Sequence, residues 1–152
     1  MSAPSRAAQR WSLDSLAHPD AMTRSEYAAS LGLVKATYAK AAATALVRRL
    51  RMERHDLVLM VLLESLQQLT ERSHEAVAVF LKARCSLLRL SQCSESPQIR
   101  QKAQTMYDRL DAMKESLQRL HQNQLRWRLT LQAQKNQRRN RGEVVPMPVR
   151  SR

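Results

Sequence analysis

Glycine occurs twice in the 152 residues, phenylalanine once, and aromatic residues make up 4% of the chain. So little glycine excludes a glycine-rich loop that could cradle phosphate, and it leaves few turns for a sheet protein. So few rings exclude a core built on large aromatics. The two cysteines, Cys85 and Cys93, cannot supply a disulfide framework, and no histidine or carboxylate is arranged around them as in a nucleophilic site. Of His18, His55, His74 and His121, no two have the i, i+4 spacing that sets two imidazoles on one helix face for a metal. The longest unbroken apolar run, residues 57–63, is far shorter than the roughly 18 residues of a spanning helix. Arg6 and Arg10 are not followed by the apolar stretch of a secretory leader, and Pro4 with a weak apolar face argues against a mitochondrial transit segment. Carboxylates are scarce too: 13 Asp and Glu stand against 26 Lys and Arg, a formal net charge of +13. Such a charge attracts acidic protein surfaces, nucleic acid or anionic lipid. These absences predict a protein that is not an enzyme, with no cofactor, no metal site and no membrane span.

What the chain has in quantity is Ala, Leu, Arg and Gln in a period of three and four. From Leu31 the seam runs through Val34, Tyr38, Ala41, Ala45, Arg48, Met52, His55, Leu59, Leu62, Leu66, Leu69, Ser73, Ala76, Phe80, Ala83 and Leu87 to Leu90. Only Arg48, His55 and Ser73 interrupt it, and neither Pro nor Gly occurs from Leu33 to Ser96. A seam of this kind predicts a helix that needs a partner helix. Thr23 or Ser25 reads as its N-cap, with Glu26 in the first turn where the helix dipole favours negative charge. Gly32 weakens it by about 1 kcal/mol, so the first turns either fray or form a separate short helix. The alanines between Ala36 and Ala45 either stabilise the helix or form a tight docking face. Residues 57–63 are apolar on every side and demand cover from more than one direction.

Residues 91–97 read as a turn, with Ser96 as the N-cap and Pro97 as the first position of a second helix, 97–141. Its seam is Ile99, Ala103, Met106, Leu110, Met113, Leu117, Leu120, Gln124, Trp127 and Leu131. Gly142 reads as its stop. The expected organisation is a flexible tail over 1–22, a helical hairpin over 23–141 (helix 23–90, turn 91–97, helix 97–141) and a flexible basic tail over 142–152. In the first tail Trp11, Leu13 and Leu16 could serve as a short anchor for a partner; in the second, residues 144–149 could dock as an extended segment.

The fold class is therefore all-α: an elongated antiparallel hairpin or coiled coil of one long and one shorter helix, or a three-helix bundle should the long helix break near Glu53 to Asp56. In the hairpin, residues whose numbers sum to about 188 face one another, which sets 57–63 against 125–131. The same register gathers Arg48, Arg49, Arg51 and Arg54 with Lys135, Arg138, Arg139 and Arg141 into one basic end. Residues 27–47 are left without an intrachain partner, so Leu31, Val34, Tyr38, Ala41 and Ala45 read as a partner-binding seam. The functional expectation is a non-catalytic coiled-coil adaptor or structural subunit of a multi-protein assembly, docking helical partners through that seam and an acidic surface through the basic end. The alternative is a sequence-tolerant nucleic-acid or ribonucleoprotein binder. A cytoplasmic setting is expected, cytoskeleton-associated or nuclear. In architecture alone the pattern resembles small basic two-helix coiled coils among cytoskeletal and ciliary complex subunits and bacterial secretion-apparatus stalks.

Overall fold

The computed structural model describes residues 15–143 and is all-α, with no strand among the described residues. Trp11, Leu13 and residues 144–149 lie outside them. After a 3-10 turn at Ser15–Ala17 come α1 (Ala21–Gly32), a second 3-10 turn at Ala36–Tyr38, and α2 (Ala39–Leu50). Then follow α3 (Asp56–Arg72), α4 (His74–Phe80), a 3-10 turn at Leu81–Ala83, α5 (Arg84–Cys93) and α6 (Pro97–Glu143). The chain divides into two compact units, Met1–Glu115 and Ser116–Arg152.

The single helix expected over 23–90 does not form; it is broken after Gly32, at residues 51–55, at Ser73 and by the 3-10 turn at Leu81–Ala83. The first helix starts earlier than Thr23 or Ser25 would set it, because Asp20 is the cap. Its Oδ2 accepts from the Thr23 N–H at 3.0 Å and the Thr23 hydroxyl at 2.8 Å. Those two bonds hold the Asp20 carboxyl below the usual carboxylate range. Ser25 is instead buried, and Leu16, expected in the tail, is part of the core. The helix ends at Gly32, where a close approach decides the matter. A Cβ there would lie 2.8 Å from Gln68 Oε1 and 2.9 Å from Ser65 Cβ on α3. Arg72 then closes the helix end by donating to the carbonyls of Gly32 and Val34. The second interruption, at residues 51–55, falls where the bundle alternative put a break and is organised by Glu53. The third is Ser73, an expected seam residue whose extended backbone ends α3 and whose Oγ accepts from the Ala76 N–H at 3.3 Å to cap α4.

Breaking the helix allows the apolar segment over 57–63 to be covered from several directions at once. α1 packs on α3, while α2 packs on both α3 and α4. Val58, Leu59, Leu62 and Leu63 are buried, and so are Leu46, Leu50, Leu66, Leu69, Phe80 and Leu87. Each such side chain contributes about 1.5–3 kcal/mol relative to exposure, which favours folding back over leaving a long seam in water. From α6, Ile99, Ala103, Met106 and Leu110 enter the same core. Farther along that helix Leu125, Trp127, Leu129 and Leu131 are exposed.

Candidate functional site

Among the described residues no group of three or more His, Cys, Asp or Glu is placed to hold a metal ion, and no helix is long and apolar enough to cross a membrane. A groove of about 620 Å³ runs along the outer face of α2. Its position follows from how α2 divides its residues. Ala39, Ala42, Ala43, Leu46, Val47 and Leu50 turn inward and are buried. This is a stripe at spacings of three and one, wide enough to seat a helix on a core. The opposite face carries Lys40, Ala41, Thr44, Ala45 and Arg48, all of which line the groove. Leu16 and Ala17 close one side from the first 3-10 turn, Met52 lies at the far end with 61% of its surface exposed, and Glu75 enters from α4. The alanine run divides between the two faces of the helix. Ala39, Ala42 and Ala43 are core, whereas Ala41 and Ala45 leave room outside.

Arg49, one of the lining residues, is held by Glu53, whose side chain is only 2% exposed. Its Oε2 accepts from Arg24 Nε at 2.9 Å and Arg49 Nε at 2.8 Å. Its Oε1 accepts from Arg24 Nη2 and from the backbone N–H groups of Arg54 and His55, each at 3.1 Å. Burial alone would raise this carboxyl, but the bonds from Arg24, the His55 N–H, Arg49 and the Arg54 N–H outweigh it and hold the group at about 2 against an ordinary 4.5. Arg89 completes the connection by donating to the carbonyls of Leu50 and Arg51 at the end of α2. Arg24 and Arg49 are thus committed to a buried carboxylate. Lys40 and Arg48 have no ion-pair partner among the described residues, and they rim the groove, each one turn from Thr44 on the same ridge.

The residues singled out in the sequence divide between this groove and other places. Ala41, Ala45, Arg48 and Arg49 line it together. Leu31 is buried in the core; Val34 and Tyr38 are half-buried beside the turn between α1 and α2 and are not part of the lining. Arg51 and Arg54 line a second groove of about 690 Å³, more polar in character, which also takes in Met52, Arg89, Cys93 and Glu95. Lys135, Arg138, Arg139 and Arg141 are exposed on α6 within the second compact unit, while Arg48 to Arg54 belong to the first. Sequence reasoning missed Leu16, Lys40, Met52 and Glu75 as neighbours of the site. The spacing of Lys40, Thr44 and Arg48 was the available signal for the ridge; Leu16 was singled out only as part of a tail anchor, and nothing local marks Glu75, which arrives through the tertiary fold. Neither a protein-family model, nor a curated protein, nor a solved structure matches the chain.

Proposed function

We propose that this protein is a non-catalytic helical subunit that receives an acidic, amphipathic segment of a partner in the groove on α2. The observation that carries the reading is the coincidence, in one groove, of an apolar lining with cations that lack ion-pair partners among the described residues: Leu16, Ala41, Ala45 and Met52 in the lining, Lys40 and Arg48 at the rim. Small lining residues let a backbone approach closely, and an exposed methionine adapts to the side chain that meets it. Rim cations select carboxylates and suppress basic partners, so they act on partner choice more than on raw affinity. Arg49 belongs to the scaffold of the groove through Glu53, and Arg48 to its recognition surface.

The test uses two full-length variants with opposite physical effects. Ala45→Trp fills the groove, and Arg48→Glu reverses the rim charge at an exposed position where helix propensity is nearly unchanged. With helicity and melting as in the parent chain, both should lose the proteins that co-purify with it, and those proteins should carry acidic helical segments. Undiminished recovery by both variants would sink the proposal. Bound RNA or DNA that weakens alike for all sequences in Arg48→Glu, with a flatter salt dependence, would replace it by the nucleic-acid reading.

A further inference from the structure

A second surface is carried by the part of α6 that belongs to the unit Ser116–Arg152. Here the seam of that helix continues in unbroken register through Leu117, Leu120, Gln124, Trp127 and Leu131. Leu117 and Leu120 are half-buried; Gln124 is exposed, Trp127 is 65% exposed and Leu131 38%. Over residues 116–142 there are seven Lys and Arg and no Asp or Glu. The positions that flank the seam, Ser116, His121, Asn123, Arg128 and Thr130, therefore contain no carboxylate. We infer that this stretch of α6 docks against one helix of a different protein, with apolar residues in its own seam and Glu or Asp at the positions flanking it.

Each part of that inference excludes a rival. Apolar side chains at alternating steps of three and four are what a facing helix fills knob into hole, and a phosphate backbone makes no use of them. A second copy of this chain would set one acid-free basic stretch against another within a screening length of about 8 Å, where like charges repel. An acidic helix removes that repulsion and pairs with Arg128 beside the seam and with the cations around it. Gln124, polar in the middle of the seam, then favours the register in which the partner also offers a polar side chain.

The experiment uses the full chain and a synthetic four-heptad helical peptide with Leu at the seam and Glu at the flanking positions, followed by fluorescence anisotropy. The same peptide with Lys at the flanks, a duplex RNA and anionic lipid vesicles serve as comparison probes. Trp127→Gln combined with Leu131→Gln strips the seam at exposed sites without loss of helix propensity. Leu129→Gln removes an equally exposed apolar residue that lies off the seam. The Glu peptide should bind the parent chain and the Leu129→Gln variant alike, and bind the double variant at least about tenfold more weakly; the Lys peptide should not bind. Four results would overturn the inference: no binding of the Glu peptide, an equal loss in Leu129→Gln, RNA or vesicle binding in preference to the peptide and indifferent to the double variant, or self-association of the parent chain that the double variant abolishes.

Discussion

Glu53 lies in the connection between α2 and α3, among arginines, and its carboxylate accepts five hydrogen bonds from Arg24, Arg49 and two backbone N–H groups. In the sequence it is a single acid between Met52 and Arg54, and nothing in its neighbours announces that Arg24, 29 positions away, will meet it. The partner comes from a different helix, so the interaction exists only once α1 has packed. Because the folded carboxyl is held at about 2 from 4.5, its stabilisation is fully present above the unfolded value and is lost as pH falls through the folded one. That difference corresponds to on the order of 3 kcal/mol. The urea midpoint should therefore fall as pH drops from about 4.5 to about 2, and Glu53→Gln should remove much of that slope while lowering stability near neutrality. An unchanged acid slope in the variant would show that other carboxylates carry it.

At the scale of elements, helical character was legible and its phase was not. A frame stepping from Leu31 to Leu90 assumes one uninterrupted helix, but each break resets the phase. Leu31, Leu59, Leu62, Leu66 and Leu69 in that frame are buried, whereas Ala41 and Met52 face outward, because α2 turns its other stripe to the core. That stripe, Ala39, Ala42, Ala43, Leu46, Val47 and Leu50, is out of phase with the frame from Leu31 to Leu90. Pro97 after Ser96 carries its information locally, and the helix there begins at Pro97. Gly32 shows the opposite case. Its effect on helix propensity was legible, but the reason for it is the approach of α1 to α3 at Ser65 and Gln68. Gly32→Ala should therefore destabilise the fold by about 1–3 kcal/mol through overpacking, although alanine is the better helix former. Thermal melting of the purified variant checks this, and a rise in midpoint would mean that α1 can move away from α3 at no cost.

At the scale of the whole molecule, core and charge are distributed unequally. Every buried core residue among those described falls between Leu16 and Leu110, with Met113 partly buried against them. The unit Ser116–Arg152 holds nine of the 26 Lys and Arg but one of the 13 acidic residues, so it carries +8 of the formal +13. The buried core thus lies in the first unit, and most of the net charge in the second. A chain ending after Glu115 should keep its cooperative melt within about 4 °C of the parent, the shift that a loss of roughly 1 kcal/mol would cause in a domain of this size. It should also keep the partners that depend on Arg48 and Ala45, since the groove is lined wholly by residues before Arg84. Binding of the Glu-flanked helical peptide should vanish from it. A shortened chain that melts without cooperativity would mean that residues after Glu115 stabilise the core, and one that still binds the peptide would move the acidic-helix site from α6 to the groove.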